Sequence, residues 1–104
     1  MIRDRYYIRS LSSSPSPTLR LTEGQVWVFD QSDSSNDGHP LRFSTTPNGT
    51  HAGGSEYTTG VTTSGVPGQS GAFTRIEVAV GAPTLYYYCS VHSGMGGIAY
   101  TPNA

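Results

Sequence analysis

At 104 residues the chain suits one domain with a modest core, and its formal charge of −1 gives no general pull toward nucleic acid or acidic lipid. Charged residues make up 12%, well below the usual share of about 25%, whereas Ser, Thr and Gly together number 39, so the surface is polar but sparsely charged. No segment approaches the ~20 apolar residues of a membrane helix. The lack of a long apolar 3.6-residue pattern, with Pro and Gly throughout, excludes a helical bundle in favour of an all-β sandwich.

The charge is unevenly spread. Residues 1–20 hold Arg3, Arg5, Arg9 and Arg20 against Asp4, a net of +3, and residues 21–104 hold Arg42 and Arg75 against six acids, a net of −4. Tyr6-Tyr7-Ile8 reads as a short strand. The Ser- and Pro-rich run from Ser10 to Pro17 is poor at ladder hydrogen bonds and reads as a linker. The expected division is therefore an arm and linker over 1–17 and a domain over 18–104. Arg3, Arg5, Tyr6, Tyr7 and Arg9 are the candidate docking residues of the arm. Met1 to Tyr7 has no apolar core, so no secretory signal is expected there.

Thr18 to Thr22 alternates and predicts a strand with Leu19 and Leu21 inward, turned by Glu23-Gly24-Gln25. Val26 to Asp30 follows, with Trp27 and Phe29 on one face as the expected centre of the core. Gln31 to Gly38 is dense in turn residues. Its neighbouring acids Asp30, Asp33 and Asp37 lack the glycine and terminal glutamate of a calcium loop, so a solvated loop is expected. His39, Leu41 and Phe43 then share the face of an alternating strand.

From Ser44 to Gly71 the chain is loop-like, with short strands expected at Glu56-Tyr57-Thr58 and Val61-Thr62-Thr63. Asn48-Gly49-Thr50 matches a glycosylation triplet, a pattern too short to carry weight. Phe73 to Val80 predicts a strand with Ile76, Val78 and Val80 inward. Gly81-Ala82-Pro83 turns into the tyrosine strand, where Leu85, Tyr87 and Cys89 alternate with Tyr86 and Tyr88. Ile98 to Thr101 starts a last strand. Six to eight short strands in all suit a two-sheet Greek-key sandwich.

Chemistry concentrates in Cys89-Ser90-Val91-His92-Ser93-Gly94-Met95, which holds the only cysteine within seven residues of a histidine and a methionine. A strand end, a tight glycine turn and a strand start can hold these three around one point. Thiolate, two imidazoles and a weak thioether are the donor set of a blue-copper centre. A second histidine must come from elsewhere, and His39 and His51 are the remaining ones. His39 lies on a core-facing strand and His51 among turn residues, so His39 is the expected partner. The plainer alternative is a buried cysteine, a loop histidine and a packing methionine without metal.

These residues resemble the cupredoxin family. Cys89-x-x-His92-x-x-Met95 has the short ligand-loop spacing of amicyanin-like members, and Tyr87-Tyr88-Cys89-Ser90 is similar to the plastocyanin-type entry to that loop. Gly38-His39-Pro40 resembles the upstream histidine segment. Leu19-x-Leu21-x-x-Gly24, followed by Val26-Trp27-Val28-Phe29, resembles the strands ahead of it. The resemblance spans about residues 18–101 and departs from the family in the long Ser/Thr/Gly stretch. It implies one type 1 copper held by His39, Cys89, His92 and Met95, with His92 as a surface electron port and Tyr88 as a second.

The segments 30–46, 56–63 and 86–97 more closely resemble cupredoxin-like modules in structural proteins of marine bacteriophages (the cyanophage kind). That implies a decoration, tail or attachment protein of a virion, assembled in the host cytoplasm and docked on capsid or tail proteins through the arm. An uncharged surface suits salty water, where charges are screened. The alternative is a soluble blue-copper electron carrier with a protein redox partner, periplasmic if a signal peptide has been removed. A copper oxidase or nitrite reductase requires further histidines, and after His39 and His92 only His51 is left. No enzyme is expected.

Overall fold

Alternation of apolar and polar side chains decides most of the strands, and the computed structural model, which describes residues 17–103, contains eight of them. They are β1 Leu19–Arg20, β2 Val26–Asp30, β3 Leu41–Ser44, β4 Glu56–Tyr57, β5 Val61–Ser64, β6 Phe73–Glu77, β7 Leu85–Cys89 and β8 Gly97–Tyr100. Two short 3-10 turns, Ser34–Asn36 and Gly49–Ala52, are the only helical pieces among the described residues. The expected arm, with Arg3, Arg5, Tyr6, Tyr7 and Arg9, lies outside the described residues.

The strands form an all-β sandwich of two sheets, ordered β1-β8-β7-β3-β4 and β2-β6-β5. The β1–β8 pair is parallel and every other pair antiparallel. Inward residues of both sheets meet in one cluster that includes Leu19, Leu21, Phe29, Leu41, Phe43, Ile76, Leu85, Tyr87, Cys89 and Met95. Phe29 and Phe43 touch across the layers with ring centroids 5.8 Å apart. Burying each large apolar side chain contributes about 1.5–3 kcal/mol. Exposed ion pairs such as Arg75–Glu77 contribute roughly 0–1 kcal/mol. The core, not the surface charge, holds the sandwich.

Three details differ from the sequence reading. Trp27 packs against the rim of the core rather than at its centre, and its indole N–H donates to the Gln25 side-chain oxygen at 3.1 Å. The indole has a polar edge that must stay near a partner, so Phe29 takes the centre. Val80 is 83% exposed, because β6 ends at Glu77 and residues 79–82 form a turn closed by the Ala82 N–H on the Ala79 carbonyl. Gln31, read as a loop residue, is buried. Its side-chain nitrogen donates to the His39 carbonyl at 2.8 Å, and its oxygen accepts from the Leu41 amide at 3.0 Å. The acids of that loop are used locally: Asp30 accepts from the Ser32 amide and Asp33 from the Ser35 amide.

Candidate metal centre

The register of β3 against β7 builds the first half of the site. Leu41 stands opposite Cys89. In an antiparallel pair, directly opposed residues share a face, as do residues two apart on one strand. His39 therefore leaves β3 on the side of the sheet that carries the thiol. Gln31 and Thr74 hold this approach: Thr74 Oγ1 donates to the Leu41 carbonyl at 3.0 Å while Gln31 bridges His39 and Leu41. The Ser90 amide donates to the Pro40 carbonyl at 3.1 Å, locking the two strand ends together.

Beyond Cys89 the chain turns back on itself. The His92 amide donates to Cys89 Sγ at 3.4 Å, and Gly94 takes a positive φ of 79° before β8 begins. At Gly96 any side chain would run into the Tyr87 carbonyl, so glycine alone lets the returning loop pass this close to β7.

His39, Cys89 and His92 meet at one point. The Nδ1 atoms of both histidines lie 3.7 Å from Cys89 Sγ, and the three candidate ligand atoms are all within 4.8 Å of one another. The imidazole rings are tilted by 45° with centroids 4.6 Å apart. Cys89 is fully buried, His39 half-buried and His92 exposed. Burial, then the neighbouring His92, lowers the pKa of His39, with Asp37 opposing weakly. Favouring the neutral imidazole is what a metal ligand requires. Met95 is fully buried and belongs to the same core cluster as Cys89.

The two nitrogen–sulfur separations suit an ion. Bonds of about 2.0–2.1 Å to imidazole nitrogen and about 2.3 Å to thiolate sulfur, at angles from tetrahedral to trigonal, place N and S about 3.6–3.8 Å apart. Both observed separations are 3.7 Å. The described residues thus bring together one thiol and two imidazoles that could hold a metal ion.

Two expectations about the surroundings change. Tyr88 points to the opposite face from Cys89, as expected, but it is 1% exposed beneath the Gly49–Ala52 turn and does not reach the solvent as a port would. Among the described residues its buried hydroxyl has no hydrogen-bond partner. His51, read as loop chemistry, is no part of the cluster, yet its Nε2 lies 2.7 Å from the Cys89 carbonyl oxygen. Nor is Asn48 an idle loop residue, since its side chain bonds Ser93 and Gly94. Nothing in local sequence signals these contacts, which join residues 38 to 46 positions apart.

Fold and site together define a β-sandwich with a His/Cys/His cluster of metal-binding geometry at one end of the five-stranded sheet. Comparison with models of known protein families, with curated proteins and with solved structures finds no match to this chain.

Proposed function

We propose that the protein is a copper-binding domain of the cupredoxin kind, with His39, Cys89 and His92 as ligands and Met95 as the fourth, weak donor. The observation that carries this reading is the pair of 3.7 Å Nδ1–Sγ separations around a buried thiol. Thiolate and thioether are soft donors and imidazole also suits copper, which, bound there, would supply a one-electron couple. The chain's part is rigidity. Cys89 ends a strand, the His92 amide bonds its sulfur, and Gln31 fixes the backbone on both sides of Pro40.

Within that reading the domain is a structural module of a phage virion, a decoration, tail or attachment protein that docks through residues 1–17. Its support is the resemblance over residues 18–101 and the sparsely charged surface. Copper then serves to staple the loop to the sandwich. A specific observation favours a second reading, a soluble electron carrier: His92 and the adjoining Val91 are exposed, so an imidazole ligand reaches the surface.

The deciding experiment is a visible spectrum after addition of Cu(II). An intense thiolate-to-copper band, absent in Cys89→Ser, supports the copper centre. Tetrahedral uptake of Zn(II) or Co(II) without such a band for Cu(II) rejects it. Copurification with particles without electron exchange with a carrier favours the virion role, and a free monomer with a reversible couple favours the carrier.

A further inference from the structure

Two side chains of the turn that runs from Asn48 to His51 end on the loop that carries the ligands. Asn48 Nδ2 donates to Ser93 Oγ at 3.1 Å, and the Gly94 amide donates to Asn48 Oδ1 at 2.8 Å. His51 Nε2 lies 2.7 Å from the Cys89 carbonyl oxygen. A carbonyl only accepts, so this bond requires the hydrogen on Nε2 and fixes the tautomer of His51. Three bonds from one short turn thus grip the loop at both ends, on either side of His92.

The turn is itself braced. Gly49 (φ 52°) lies flat against the Tyr88 ring, where a Cβ would come within 2.5 Å of its carbons, and its amide donates to the Thr46 carbonyl at 2.9 Å. The His51 ring meets Tyr88 edge-on, with centroids 6.2 Å apart. Tyr88 is locked in β7 opposite Arg42. The sheet therefore holds the turn, and the turn holds the loop.

We propose that Asn48 and His51 are positioning residues that keep Cys89–Gly94 in its metal-receiving shape before any ion arrives. The proposal rests on the metal-centre reading above. The β7 ladder ends at Cys89, and beyond the Ser90–Pro40 bond the loop has left the sheet. Freezing the Cys89 carbonyl sets the plane of the peptide that leads toward His92, whose amide bonds the sulfur. Side chains that orient metal ligands in this way typically change metal affinity about 10- to 100-fold when removed.

The test uses the full chain with Asn48→Gly, His51→Ala and His51→Gln. Asn48 sits at φ 62°, a conformation glycine adopts freely, so Asn48→Gly removes the clamp without backbone strain. Gln keeps an N–H donor at position 51. In metal-free protein, Asn48→Gly is expected to speed hydrogen exchange of the Gly94 amide about 10-fold or more, with the β3 and β6 amides unchanged. With Cu(II), Asn48→Gly and His51→Ala are expected to weaken binding about 10- to 100-fold and shift the thiolate band, and His51→Gln to restore both. Folded variants with wild-type band, affinity and Gly94 exchange overturn the proposal. Should a variant not fold, rapid exchange of the Gly94 amide in the metal-free wild type overturns it equally. Failure of the wild type to take up copper defeats the metal reading instead, and Gly94 exchange then judges the clamp alone.

Discussion

The Nδ1 atom of His39 stands 3.7 Å from the sulfur of Cys89 across a separation of 50 residues, and strand register puts it there. A slip of one residue between β3 and β7 would send every side chain of the slipped strand to the other face of the sheet. The site is therefore as secure as that register. Gln31 and Thr74 secure it from the neighbouring sheet.

Gln31→Leu keeps the bulk of the side chain but leaves the Leu41 amide and the His39 carbonyl without this partner. A buried group deprived of its hydrogen bond costs about 1–3 kcal/mol. Denaturant unfolding should register a loss of at least that size. A loss well below 1 kcal/mol would mean that Gln31 is a bystander.

Gly49→Ala is expected to destabilise by about 1–3 kcal/mol from the backbone conformation alone, before the collision with Tyr88 is counted. Gly24→Ala makes the control: φ is positive there too, at 83°, but nothing lies within 4 Å of an added Cβ. If the two variants lose equal stability by thermal unfolding, the contact with Tyr88 has no weight.

Met95 fills the core beside its role as the expected weak donor. Met95→Leu conserves volume and should cost less than about 1.5 kcal/mol, whereas Met95→Ala leaves a cavity and should cost about 2–5 kcal/mol. With copper bound, Met95→Leu is expected to retain the thiolate band and move the reduction potential, since the axial donor tunes it. An unchanged potential, read by voltammetry, argues against a donor role.

Burial and His92 hold the pKa of His39 below its ordinary 6.5 in the folded chain. In the window between the lowered value and 6.5, the unfolded chain binds the proton and the folded chain does not. This contribution is complete above the unfolded value, is lost as pH falls through the window, and levels off once both states are protonated. Metal-free protein should therefore lose melting temperature as pH drops below 6.5, and His39→Gln should flatten that slope. Parallel curves for the two proteins would count against it.

Much of the sandwich was legible from the chain alone, because period-two alternation is a local property. Leu19 and Leu21, Phe29, Leu41 and Phe43, Ile76 and Val78, and Leu85, Tyr87 and Cys89 all face inward as their alternation predicts. The same rule failed at Val80, where β6 had already ended in a turn. It also failed to see that Tyr88, on the outer face, is roofed by the Gly49–Ala52 turn.

The sequence by itself determined most of the strands, the inward thiol and which thiol, imidazole and thioether side chains were candidates for the site, since each follows from neighbours a few positions away. Only the tertiary structure decided which residues hold those donors in place: Gln31 behind His39, and Asn48 and His51 around the loop. The reason is that hydrogen bonds between side chains and distant backbone leave no periodic trace in the chain. They exist only once register has brought two sheets and a turn together.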